Sequence, residues 1–149
     1  MKTSTAIACF LSVPFALSFA LVAPAQDAEK ENKPTPKEQA IKAAEDWLAL
    51  VDAEKDAESW DASASLFRTA VAVESWGRMI HASRGQFGRV VSRKVKSAEF
   101  HTQLPGAPDG EYVVIQFETS FEKKKEAIET VTPMKDKDGK WRVSGYFIK

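Results

Sequence analysis

The chain has 149 residues, and its 21 Lys and Arg are matched by 21 Asp and Glu, so the formal net charge at pH 7 is zero. A length of this order supports one hydrophobic core and therefore one domain. The single cysteine is Cys9, inside a segment expected to be removed, which excludes a disulfide, a thiolate zinc site and a thiol nucleophile from the mature chain.

Residues 1–25, MKTSTAIACFLSVPFALSFALVAPA, carry an early Lys2, an apolar run from Ala6 to Val22 and the small-residue triplet Ala23-Pro24-Ala25. This pattern predicts a secretory signal peptide cleaved between Ala25 and Gln26. A spanning helix wants about 20 strongly apolar residues, and this run is broken by Pro14 and by serines. The expected product is periplasmic or extracellular, with no stable membrane anchor once the peptide is cleaved. Residues 26–34, QDAEKENKP, are too polar to offset the entropy of ordering and read as a disordered tether. Residues 35–149 form the expected domain.

Thr35-Pro36-Lys37-Glu38 is a helix start, with Thr35 as cap, Pro36 at the first helical position and Glu38 completing a capping box. From there to about Ala53, Ile41, Ala44, Trp47, Leu48 and Val51 recur at helical spacing. A second helix is expected to open on Asp56 as its cap and to carry Trp60, Ala64, Phe67 and Val71 inward. A third has Trp76, Met79, Ile80, Ser83 and Phe87 as its inner stripe and ends at Gly85 or Gly88.

Past Gly88 the apolar period changes from about 3.6 to 2, the mark of passage from helix to strand. Four strands are predicted: Val90 to Thr102, Glu111 to Phe121, Ala127 to Lys135, and the last from Asp138 to Lys149. The connections, LPGAPDG at 104–110, KKK at 123–125 and Asp136-Lys137-Asp138-Gly139, are short and suit antiparallel neighbours. On the last strand, alternation puts Trp141, Val143 and Phe147 on one face and Tyr146 and Ile148 on the other. The fold class is α+β, with about three N-terminal helices packed on a four-stranded antiparallel meander.

Three stretches carry a resemblance: ESWDASASLFR at 58–68, LPGAPDGEYVVIQFETSF at 104–121 and ETVTPMKDKDGKWRVSGYFIK at 129–149. They resemble the bacterial domain-of-unknown-function family 4019 over about Glu38 to Lys149. More distantly, helices followed by sheet and a G-x-W-x-V last strand look like the nuclear transport factor 2-like superfamily. That resemblance implies a curved sheet and helices forming a cone, in proteins that are enzymes in some cases and binding or assembly modules in many.

Candidate sites are few. The series Arg78, Arg84, Arg89, Arg93, Lys94 and Lys96 can bind phosphates, but it reads as a solvated face, and no nucleic-acid role is expected. Arg93 falls between Val91 and Val95 on the apolar side of its strand, where it either clamps a ligand carboxylate or pairs with a buried acid. A phase shift by Ala98 and Phe100 suggests a bulge in the same strand. His81 and His101 have no metal spacing, and the 136–139 loop lacks the ligands of a calcium site. No hydrolase, Walker or dinucleotide motif appears, so no cofactor is expected.

The stripe aromatics Trp47, Phe67, Trp76, Phe117 and Trp141 read as core. The remaining candidates for ligand or partner contact are Trp60, Arg93, Tyr112, Gln116 and Tyr146. Three functions fit, in this order: a non-catalytic binding module for a protein or small molecule, a small lyase or isomerase with a histidine base and Arg93 as anion clamp, and an envelope-stress protein acting by self-assembly, with a homodimer as its simplest form.

Overall fold

The computed structural model describes residues 33–149. The expected signal peptide, its Ala23-Ala25-Gln26 cleavage site and most of the tether lie outside the described residues. Helix α1 spans Pro36–Asp52 and begins with the complete capping box, in which Thr35 accepts from the Glu38 amide and the Glu38 carboxylate accepts from the Thr35 amide. Its inner stripe of Ala40, Ala44, Trp47, Leu48 and Val51 is buried. The helix lies across the inner face of the sheet and contacts all four strands. It ends in a Schellman motif, with the Lys55 amide donating to Leu50 O and the Glu54 amide to Val51 O.

The expected second helix is two helices, so the described residues hold four. Helix α2 spans Asp56–Asp61 and α3 spans Ser65–Ala70. The break has a tertiary cause. Ala64 is extended (φ −60°, ψ 151°) and its amide donates to Val143 O of the last strand at 2.8 Å, so the chain leaves the helix to meet the sheet. Ser59 and Ser63 are buried beside it: the Trp47 indole donates to Ser59 O and Ser63 Oγ, and the Trp76 indole to Ser59 Oγ. Asp56 is not the cap of α2. That position belongs to Lys55, without a side-chain bond, and the Asp56 carboxylate is turned to His81 instead.

Helix α4 spans Val73–Arg84 and is capped by Gly85. Trp76 and Ile80 are buried as the periodicity predicts, but Met79 is 55% exposed, because no element covers that side of the helix. Phe67 meets Trp76 edge-on at 5.3 Å, and Trp76 meets Trp47 at 5.5 Å. These aromatics are core.

The sheet is an antiparallel meander in the order β1-β2-β3-β4, with β1 Val90–His101, β2 Tyr112–Phe121, β3 Ala127–Lys135 and β4 Trp141–Ile148. Val113, Ile115, Phe117, Thr119 and Phe121 of β2 share the inner face, as alternation requires. Register shifts fall between Val90 and Ser92, between Val95 and Ser97, and opposite the Thr132–Pro133 step, where Thr132 faces Gly145 but Pro133 faces Val143. Two corrections follow from these bulges. Val91 is the extra residue of the first and is 60% exposed, leaving Val90 to face Phe121. In β4 the extra residue is Ser144, so parity reverses: Tyr146 turns inward opposite Val131, and Phe147 turns outward and is 61% exposed.

Glu54 is the one non-glycine residue with positive φ (57°) among the described residues, at the Schellman position that glycine normally fills. Its side chain is exposed, so only the backbone is at stake. Glu54→Gly is expected to raise stability by about 1 kcal/mol in chemical denaturation. A decrease would show that Glu54 contributes contacts that outweigh the strain.

Candidate functional site

One buried carboxylate organises the middle of the inner face. Glu129 follows Ala127 and precedes Val131 in the inward phase of β3, and its side chain has no solvent exposure. Three donors surround it: Arg93 Nε on Oε2 at 2.7 Å, Thr119 Oγ1 on Oε2 at 2.6 Å, and Tyr146 OH on Oε1 at 2.7 Å. Each comes from a different strand. The β4 bulge that turned Tyr146 inward supplies the third.

Arg93 is 15% exposed and extends past Glu129 to the end of α1, where Nη1 and Nη2 donate to the two oxygens of Asp52 at 2.7 and 3.1 Å. Asp52 also accepts from Arg84 of α4 at 2.6 Å, and the Arg84 guanidinium lies 5.4 Å from the centre of the Phe121 ring. Two cations and two anions thus balance along one linear series, Glu129–Arg93–Asp52–Arg84. No buried side-chain nitrogen or oxygen among the described residues lacks a partner.

The titration of these groups follows from their partners. Burial pushes Asp52 upward, but the bonds and charges of Arg93 and Arg84 outweigh it and hold the carboxyl below its ordinary value. Burial disfavours the Arg93 cation, and Asp52 and Glu129 more than compensate, so Arg93 is raised well beyond the usual range. The Tyr146 phenol is raised far above its ordinary value, first by burial and then by the Glu129 charge it faces.

Of the five candidate residues, Arg93 and Tyr146 meet on Glu129, and the other three stand apart. The Trp60 indole donates to Val71 O at 2.6 Å and its ring packs on the core. Tyr112 has the outward parity of β2 but is 1% exposed, because the 104–110 loop folds over it and its hydroxyl donates to Pro108 O. Gln116 lies half-buried on the outer face, opposite Thr130. Sequence reasoning missed Glu129, Asp52 and Thr119, although Glu129 shows the same signal that singled out Arg93: a charge in phase with an apolar strand face.

Two concavities flank this network. A cleft of about 220 Å³ opens where α1 and α4 end, lined by Asp52, Glu54, His81, Arg84, Arg89 and Glu122 among others. On its rim His81 Nε2 lies 2.8 Å from Asp56 Oδ2, with the histidine side chain 57% exposed. His101 is 3.7 Å from Glu99. An open groove of about 580 Å³ lies over the first half of β1, the end of β2 and the β2–β3 hairpin tip. Most of the predicted basic series is paired: Arg89 with Glu122, and Lys94 and Lys96 with Glu118. The Asp136 carboxylate accepts from the amide and hydroxyl of Ser65, tying the last hairpin to α3.

Because the folded-state pKa of Asp52 is depressed, the unfolded chain binds the extra proton, and the stability this group contributes is present above pH about 4 and lost as pH falls below it. Asp52→Asn is expected to cost about 1–3 kcal/mol at neutral pH, the range of hydrogen bonds to a charged group. That gap should shrink steadily toward pH 2 in denaturation curves. A gap that stays constant with pH would contradict this role for Asp52.

Among the described residues no helix is long and apolar enough to cross a membrane, and no three His, Cys, Asp or Glu gather closely enough to hold a metal ion. No curated protein matches the chain. The family model described as "Protein of unknown function (DUF4019)" matches residues 43–146, from the middle of α1 to Tyr146, and the chain belongs to this family.

Proposed function

We propose that the protein is an exported, non-catalytic binding module that meets its partner on the open face of its sheet. One observation carries this reading. The inner face is covered by α1 and the Glu129 network except along β1, where the inward Val95 and Phe100 stay 38% exposed, whereas the outer face is half-buried along most of β2 and β3 and holds the larger groove. Export rests on the pattern of residues 1–25. The order of elements, with helices on one face of an antiparallel meander, supports a nuclear transport factor 2-like cone as the wider architecture.

A lyase or isomerase is a second reading, favoured by the 2.8 Å contact between His81 and Asp56. A general base of this kind works best in a site closed to water, and His81 stands on the rim of an open cleft, more than half exposed. Self-assembly would draw on exposed apolar side chains. Of the large ones exposed among the described residues, Val91, Val95 and Phe100 lie on β1, Met79 on α4 and Phe147 on β4, and the bulges at Val91 and Lys96 interrupt the β1 row.

The test is native mass spectrometry of the protein purified from its own envelope, alongside Gln116→Glu and Lys96→Glu on the outer face and His81→Ala in the cleft. A reproducible adduct or partner mass is expected, lost in both outer-face variants while melting temperatures hold. Loss in His81→Ala alone would move the site to the cleft and overturn the reading.

A further inference from the structure

We propose that the basic end of the outer face docks reversibly on an anionic phospholipid surface, with Phe147 entering the interface. This rests on the binding reading above and names its partner. Strand pairing sets Lys94 opposite Glu118, Glu118 opposite Ile128, and Ile128 opposite Lys149, whose backbone it bonds in both directions. Three strand spacings separate the two lysines, about 14 Å. Ser92 and Ser120 face each other in the next row, and Lys96, Lys124 and Lys125 complete the rim.

Five lysines border the groove against Glu118 and Glu126, an excess of three positive charges, although the Lys124 ammonium lies 5.2 Å from the centre of the Phe87 ring. Arg93 also borders it, but Asp52 and Glu129 already neutralise that cation. Since the whole chain is neutral, an equal negative excess lies elsewhere. Glu45, Asp46, Glu54, Glu58 and Asp61 are all exposed on α1, α2 and the turn between them. The helices lie on the opposite side of the sheet, so a negative surface attracts one side and repels the other.

Phe147 stands outward on β4, 61% exposed, one row from Lys149 and diagonal to the half-buried Ile128. Cations in the plane of a face beside an exposed aromatic match a bilayer surface, where phosphates meet the lysines and the ring sinks to the headgroup boundary. An acidic strand added to the sheet edge fits less well. The free edge of β1 is broken by bulges at Val91 and Lys96 and carries lysines, both of which oppose strand addition. At about fivefold in affinity per lysine, an excess of three charges gives reversible, salt-sensitive association.

The test is co-sedimentation of the exported form beginning at Gln26 with vesicles of phosphatidylglycerol and phosphatidylcholine in equal parts, and with phosphatidylcholine alone. Binding to the mixed vesicles only is expected, released in high salt, weakened at least tenfold by Lys125→Glu with Lys149→Glu and several-fold by Phe147→Ser, with unchanged melting temperatures. No association with the mixed vesicles, equal binding to neutral ones, indifference to the charge reversal, or tighter binding to a soluble poly-glutamate peptide would each overturn it. If vesicles fail while an envelope partner is still lost in Lys96→Glu, the lipid proposal falls and the binding-module reading stands. If that partner is indifferent to Lys96→Glu as well, both fall.

Discussion

Glu129 is a carboxylate with no access to water, and the rest of the structure is arranged so that it can stay there. An ionised carboxylate in an apolar core costs several kcal/mol unless donors and a counter-charge replace its hydration. Here Thr119 and Tyr146 supply hydroxyls and Arg93 supplies the charge. Arg93 is largely buried itself, so it needs Asp52 at the end of α1, and Asp52 in turn holds Arg84 of α4. Each member answers a need created by the one before it. The result joins β3, β2, β4 and β1 to both helix ends, and fixes how the helices sit on the sheet.

What could be read from the sequence was what local chemistry decides. The start of α1 was legible because Thr35, Pro36 and Glu38 satisfy the first amides within one turn. The β2 faces were legible because alternation runs unbroken from Val113 to Phe121. What could not be read was set by distant partners. The second helix is cut by a bond from Ala64 to Val143, far along the chain. The faces of Tyr146 and Phe147 were reversed by one extra residue at Ser144, and the signals for it, Gly145 beside the bulge and Pro133 on the paired strand, went unread. Arg93 was noticed because it broke an apolar phase. Glu129 broke one in the same way, and only the two together explain each other.

The network also divides the molecule by role. Arg93 and Tyr146, two of the residues expected to contact a ligand, have their polar groups committed to Glu129 and Asp52, which makes them part of what holds the fold. The aromatic stripes of α1 and α4 are core for the same reason that the helices exist, since their apolar faces have no other place to go. The outer sheet face holds the larger groove, and its charges are unevenly spread although the chain is neutral. Substitutions in the two regions should therefore separate into those that alter stability and those that alter binding.

A double-mutant cycle on Arg93 and Glu129 addresses the central claim most directly. Replacing either alone, as Arg93→Met or Glu129→Leu, leaves an uncompensated buried group, and Arg93→Met is predicted to cost about 3–5 kcal/mol. The double variant removes both charges at once. Its loss should fall short of the sum of the two single losses by at least about 2 kcal/mol in denaturant titrations. Losses that add to within about 0.5 kcal/mol would mean that the two side chains act independently, and that the carboxylate is not the constraint around which the helices and sheet are assembled.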